Sequence, residues 1–309
     1  MIGFIVNPVS GNGRGKKTWK KIARALAKEN RPYEVLFTEK PGDASVYAQR
    51  MASAQTFRKI VALGGDGTVN EVITGLFQAN SMLPFGHIPA GSGNDFARGH
   101  LIPKDQMEAL KLLFADTKPL SIDILSLRQG IAASSIGAGF DGKVAQETNR
   151  AAYKKWLNRI GLGFLAYFLT VVRVLFAYKP VSVELVVDGE TFVYPDVWLV
   201  ATANIPYIGG GMKICPTARP DDGQAEICIV NRIGKLEFLR VFPLVYSGKH
   251  AMHPAVHFHR GSHILIRSET PLAVHKDGEF AGETPLEIRV LANALPVIKP
   301  AANADSERP

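Results

Sequence analysis

Hydrophobic positions in the first 125 residues follow two alternating rhythms. Short apolar runs of strand length occur at Ile2–Val6, Tyr33–Phe37, 59–63 and 85–88. Between the first two, Trp19, Ile22, Ala23, Leu26 and Ala27 fall at helical spacing within 16–29, with lysines on the other face. A second helix is expected over 44–54, after the start signal Pro41-Gly42-Asp43. A third helix is expected after the segment 64–68 and through Phe77, and further helices follow the fourth strand up to Ala115. Strands separated by helices imply parallel pairing and right-handed crossovers. Residues 1–125 therefore read as a doubly wound parallel α/β domain.

From about residue 121 the rhythm changes. Segments Val181–Val187, 191–194, 197–203, 226–230, 263–266, 272–275 and 286–290 read as strands with turn signals between them. Only helical stretches at 151–178 and 235–246 interrupt them. Residues 126–296 are accordingly expected to form an antiparallel β-sandwich domain. Residues 297–309 end in small and polar side chains and are expected to be a flexible tail.

Composition narrows the class. With 46% hydrophobic residues the 309-residue chain can bury two cores. Cys215 and Cys228 have neither disulfide-framework nor metal-ligand spacing. The formal charge of +8 suits nucleotide phosphates or an anionic membrane surface. No RRM, KH or zinc-finger signature is present, so nucleic acid is not expected as a partner. Met1 leads directly into Ile2-Gly3-Phe4 without a basic n-region or cleavage site, which predicts a cytoplasmic protein. The uncharged run 161–172 is flanked by Lys154, Lys155, Arg159 and Arg173. It falls short of the ~20 residues that span a bilayer, so it reads as a buried or interfacial helix.

Candidate chemistry gathers in three glycine-bearing loops, each following a strand, where open α/β sheets collect ligands. Asn7-Pro8-Val9-Ser10-Gly11-Asn12-Gly13-Arg14-Gly15-Lys16 fails both the Walker A and the dinucleotide fingerprints, yet retains small residues, backbone N–H groups and a helix start that suit an anion. In Gly64-Gly65-Asp66-Gly67-Thr68, the first two glycines allow close backbone approach, and Gly67 is expected to adopt dihedrals that a side chain would forbid. Asp66 is odd in a phosphate cradle unless it holds Mg²⁺ or orients a neighbouring donor. Gly91-Ser92-Gly93-Asn94-Asp95 repeats the design, with Ser92 and Asn94 as donors and Asp95 as a helix N-terminal charge.

These motifs, N-P-x-S-G, G-G-D-G-T-x-N-E and G-S-x-N-D-F-A, in this order and spacing, resemble the diacylglycerol kinase catalytic family and its bacterial soluble lipid kinase branch. Pro216 to Gly223 and the late Asp277-Gly278-Glu279 extend the resemblance over nearly the whole chain. It implies an ATP-dependent lipid kinase. Thr38, Gly64, Gly65, Asp66, Gly67, Thr68, Val69, Asn70 and Ser92 match the family's ATP contacts, and Asn7 and Lys16 join them from the first loop. Asp222, with the backbone carbonyls of Arg219 and Gln224, matches a structural Mg²⁺ site. Asp123 matches a position tied to the metal and active-site network.

Asp-Gly-Glu occurs twice, at residues 188–190 and 277–279, and local pattern cannot separate the two hairpin-type turns. The resemblance selects Asp277 and Glu279 as the catalytic pair and leaves open which one takes the proton. His250, His253, His257, His259 and His263 match no family role and read as strand or surface histidines. The expected reaction gives phosphatidic acid from diacylglycerol, with phosphatidylglycerol, monoacylglycerol and sphingoid bases ranked behind diacylglycerol as alternative acceptors. ATP and Mg²⁺ are the expected cofactors. The lipid is expected to be met at a membrane surface, with peripheral attachment to the inner face, and exposed strand edges are compatible with a homodimer. An NAD kinase-like enzyme and an inactive nucleotide-binding regulator are the alternatives.

Overall fold

A computed structural model of the chain describes residues 1–116, 118–150 and 171–301. It divides into two compact units, one comprising Met1–Ile124, Gly209–Gly211 and the chain from Ala292 onward, the other Leu125–Ile208 and Met212–Leu291.

In the first unit, β1 (Ile2–Val6), β2 (Tyr33–Phe37), β3 (Lys59–Gly64) and β4 (Phe85–Pro89) form a parallel sheet in the order β2-β1-β3-β4. Apolar runs this short and continuous suit strands buried on both faces. Phe4, Ile5, Val6 and Ile60 to Leu63 are fully buried, each large side chain contributing ~1.5–3 kcal/mol. The helices are α1 (Ser10–Lys28), α2 (Asp43–Ser53), α3 (Asp66–Gln78), α4 (Asp95–Gly99) and α5 (Gln106–Phe114). α1 is broken near its start, where Gly11, Asn12 and Gly13 have φ of 55°, 57° and 85°. Its regular part carries Trp19, Ile22 and Leu26 inward, with Trp19 packed on Phe4 at 5.4 Å.

The second unit is antiparallel. Its strands include β6 (Gly130–Ala132), β7 (Ser135–Gly139), β8 (Val181–Val187), β9 (Glu190–Ala203), β10 (Ala225–Asn231), β11 (Val256–Gly261), β12 (His263–Ser268), β13 (Ala273–Lys276) and β14 (Glu279–Glu283). β5 (Leu120–Leu127) leads in from the first unit and pairs with β6. Two apolar cores form, one around Ile136, Leu185, Val200, Ile227, Ile264 and Ile288, the other around Phe140, Leu175, Trp198, Cys228 and Phe238.

Several expected boundaries move. Segments 191–194 and 197–203 are one strand, β9, because its pairing with β8 shifts register instead of turning. β7 and β11 were not expected: SIGAG has Ile136 as its one β-branched residue, and in VHFHRG the apolar face is only Val256 and Phe258, set among three basic side chains. Stretch 235–246 is helical only over Lys235–Val241 and tightens to a 3-10 helix at Phe242–Ser247, where Pro243 supplies no N–H. The expected 151–178 helix lies outside the described residues except for 171–178, of which 171–177 is helical. The chain is not loose from residue 297. The last strand, β15 (Leu286–Val297), pairs with β12 at its start and runs parallel to β4 at its end, Val297 opposite Phe85. Val297, Ile298 and Lys299 are buried.

Candidate active site

Parallel pairing in register, with Val6 beside Leu63 and Gly64 beside Pro89, releases the loops after β1, β3 and β4 along one edge of the sheet. The three then lock together. Asn7 donates from Nδ2 to Thr68 Oγ1 at 3.1 Å, and the Arg14 guanidinium donates to the Gly91 carbonyl at 2.9 Å. Gly65 and Gly91 pass so closely that a Cβ at 91 would lie 2.4 Å from the Gly65 Cα. A Cβ at Gly11 would lie 2.2 Å from the Ala90 oxygen. The glycines at 64 and 65 thus admit neighbouring protein, namely the Thr68 side chain and the Gly91 backbone.

Gly67 corrects the sequence reading. Its φ is not in the left-handed region, and nothing lies within 4 Å of a Cβ built there. It leaves open space at the first turn of α3. That helix begins without a side-chain cap, so the helix itself leaves the N–H groups of Asp66, Gly67 and Thr68 unused. Open space, free donors and the positive end of the helix dipole fit an anionic phosphate. Ser92 is exposed and Thr38 half-buried, each just beyond the end of a strand, and Lys16 is exposed within α1 after its break. Val69 is fully buried, so only its backbone is available to a ligand, and that N–H is bonded to Gly65. Asn70 is half-buried on the same helix. Asn94 differs from expectation: both ends of its amide close on the Gly91 backbone, at 2.9 and 3.0 Å.

Asp66 serves as a clamp, its Oδ1 accepting the Phe96 N–H at 3.0 Å across the two loops. Asp95 exceeds the helix charge read from sequence. It is buried, pairs with Arg98 at 2.6 Å and accepts the Gly210 N–H at 2.6 Å. Burial raises the Asp95 pKa against the Gly210 bond, and the neighbouring Asp66 charge raises it further against Arg98. Asp123 is buried as well and accepts the Asn293 N–H at 2.8 Å.

In the second unit, Asp277 and Gly278 have φ of 46° and 86° and join β13 to β14, positive at both central positions as a type I′ hairpin requires. The two carboxylates beside this turn differ. Asp277 accepts N–H groups from Ala133, Ser134 and Ser135 at 2.7–2.9 Å. The Glu279 side chain is exposed and makes no hydrogen bond or ion pair among the described residues, its backbone lying opposite Lys276 in the β13–β14 ladder. Behind the turn, buried His275 meets Asp141 through Nε2 at 3.1 Å. Burial alone would lower the His275 pKa, but the charge and hydrogen bond of Asp141, with the Asp277 charge, raise it.

The turn at Arg219, Asp222 and Gln224 does not suit Mg²⁺. Asp222 Oδ1 accepts the Gln224 N–H at 3.0 Å, and Oδ2 is taken by the Arg260 guanidinium. Arg260 is fixed there by its place opposite Glu226 in the β10–β11 ladder. The one carboxylate of the set is already neutralised, and a divalent cation would meet a guanidinium. Chelation by EDTA is therefore expected to leave Tm unchanged. A structural ion at a hundredfold its Kd would instead stabilise by ~2.7 kcal/mol and shift Tm by several degrees.

The histidines after residue 250 have separate partners. His257 meets Asn231 at 2.9 Å, His259 meets Tyr194 at 2.7 Å, His263 meets Glu287 at 2.8 Å, and His250 meets the Ile214 carbonyl at 3.0 Å. Cys215 and Cys228 are buried free thiols, both pushed up by burial.

Comparison with known proteins agrees with both units. Residues 1–127 match the diacylglycerol kinase catalytic domain, and residues 134–299 match the YegS C-terminal NAD kinase beta sandwich-like domain. The Bacillus subtilis protein "Putative lipid kinase YtlR" is 30% identical over 92% of this chain and 95% of its own. A diacylglycerol kinase of Staphylococcus aureus (strain MRSA252) is 30% identical over 96% of this chain and 91% of its own. The solved structure "A putative diacylglycerol kinase from Bacillus anthracis str. Sterne" superposes with a TM-score of 0.78 at 26% identity, covering 97% of each chain.

Proposed function

The chain belongs to the diacylglycerol kinase catalytic family, and from that premise we propose that it transfers the γ-phosphoryl group of ATP to the primary hydroxyl of diacylglycerol. Its being a lipid kinase follows from the family; donor and acceptor are the finer reading. The observation that carries the donor is the uncapped start of α3, opened by Gly67 where three loops meet.

Mg-ATP is the donor substrate. The first-turn N–H groups of α3 bind its phosphates, and Lys16 adds positive charge. Phosphoryl transfer has a loose transition state, so positioning and charge neutralisation supply most of the catalysis. The lipid hydroxyl oxygen forms a bond to the γ-phosphorus as the bond to the β–γ bridging oxygen breaks, and ADP leaves with that oxygen. The hydroxyl proton passes to Glu279. Asp277 is unsuited to that task because its oxygens hold three backbone N–H groups.

A membrane surface is the partner that delivers the lipid. Leu236, Leu239, Leu244, Tyr246 and Met252 are exposed along one stretch of the second unit, which also carries Lys235, Arg240 and Lys249. Apolar and basic side chains together suit the interface of an anionic bilayer. No helix of the described residues is long and apolar enough to cross a membrane. Replacing Leu236 and Met252 by Glu is expected to lower turnover in phosphatidylglycerol vesicles roughly tenfold, equivalent to ~1.4 kcal/mol of surface affinity. Turnover of detergent-dispersed lipid should be unaffected.

The decisive experiment offers ATP labelled in its γ-phosphate with diacylglycerol, phosphatidylglycerol, monoacylglycerol, sphingosine and NAD in parallel. Labelled phosphatidic acid is the expected product. Label confined to NAD would favour the NAD kinase-like alternative, and no labelled product despite ATP binding would favour a regulator.

A further inference from the structure

The pair formed by Asp141 and His275 is left without a task by the reaction above, although the fold makes unusual room for it. Asp141 stands in the first turn of α6 (Phe140–Arg150), and His275 on β13 lies opposite Gly137 of β7. A Cβ at 137 would fall 2.0 Å from Asp141 Oδ2 and 2.3 Å from His275 Nε2. Only glycine leaves the two side chains space to meet. The helix is seated equally closely, since a Cβ at Gly142 would lie 1.9 Å from the Ala273 carbonyl oxygen.

The imidazole also reaches the catalytic turn. Gly278 donates its N–H to His275 Nδ1 at 3.4 Å, which leaves the ring proton on Nε2, where it is donated to Asp141. The Asp277-Gly278 hairpin is thus held from two sides, by the backbone of residues 133–135 on Asp277 and by His275 on Gly278. Glu279 is the next residue along.

We propose that half-buried Asp141 and buried His275 act as a positioning pair that fixes the Asp277-Gly278 turn and thereby the direction of Glu279. The proposal rests on the reading of Glu279 as the proton acceptor. Asp141 orients the imidazole, the imidazole holds the Gly278 N–H, and the turn delivers the carboxylate. Neither residue touches substrate. Misplacement of a reacting group by about 1 Å can cost ~10²-fold in rate, so a long hydrogen bond at this point is enough to matter.

The test compares His275→Ala, His275→Asn and His275→Gln, with Glu279→Gln as control, by steady-state kinetics on mixed vesicles. His275→Ala is expected to lower kcat about tenfold or more while KM for ATP and lipid stays within about twofold. The Asn side chain can place an acceptor near Nδ1 and should restore much of kcat. Gln keeps a donor toward Asp141 but no acceptor for Gly278 and should not. Full kcat in His275→Ala beside an inactive Glu279→Gln overturns the proposal and leaves the Glu279 reading intact. Full kcat in both overturns the Glu279 reading itself. Should His275→Ala fail to fold, equal kcat in the Asn and Gln variants overturns the proposal.

Discussion

Glu279→Gln is expected to lower kcat by roughly two to four orders of magnitude, the range supplied by a positioned general base, or ~2.7–5.4 kcal/mol of barrier. The substitution keeps the size of an exposed side chain that makes no hydrogen bond or ion pair among the described residues. Tm should therefore be unchanged, and ATP affinity likewise, since the three glycine loops proposed to hold the phosphates belong to the other unit. Asp277→Asn should behave in the opposite sense. One of its oxygens becomes an NH₂ facing the N–H groups of residues 133–135. The buried donors left unmatched cost ~1–3 kcal/mol each, so Tm falls along with activity. Rates on diacylglycerol vesicles, set beside thermal unfolding of the two variants, decide which carboxylate is the base. Equal loss of kcat with equal Tm in both would remove the distinction.

The second large effect is expected at Asp66. Asp66→Ala should reduce kcat/KM for ATP roughly 10–150-fold, the ~1.5–3 kcal/mol carried by a hydrogen bond to a charged group. Its Oδ1 ties the first turn of α3 to the N–H of Phe96, holding the loop after β3 against the loop after β4. Asp66→Asn retains an acceptor for Phe96 and should recover about half of that loss in free energy. Titration of ATP into each variant by calorimetry checks the assignment. If Asn and Ala are equally impaired, the charge of Asp66 matters and the loop clamp does not.

The sequence made the first unit readable because its strands are uninterrupted apolar runs and its chemistry sits at their ends, within ten residues of each. What remained hidden has a common physical cause. Asp95 is bonded to Gly210, 115 residues away, and Asp277 to residues more than 140 positions earlier. No local pattern announces such partners. Gly67 was read as a strained turn when its function is to leave space, and Gly137 drew no notice, although Asp141 and His275 meet only because it has no side chain. Arg260, 38 residues beyond Asp222, likewise changes a plausible cation site into an ion pair. The two carboxylates of Asp-Gly-Glu were indistinguishable until the backbone around Asp277 was placed.

The course of β15 has a bearing on how the chain matures on the ribosome. The first unit is begun by residue 2, yet its sheet also includes Val297, beside Phe85 of β4. An N-terminal fragment ending at residue 124 would expose the buried β4 edge and lack the cover of Ile298. The first unit can therefore complete its sheet only after Val297 has been translated. Synthesis through β15 is thus a precondition for the finished first-unit sheet, and a nascent chain that stops short of it would hold the three glycine loops on an incomplete scaffold.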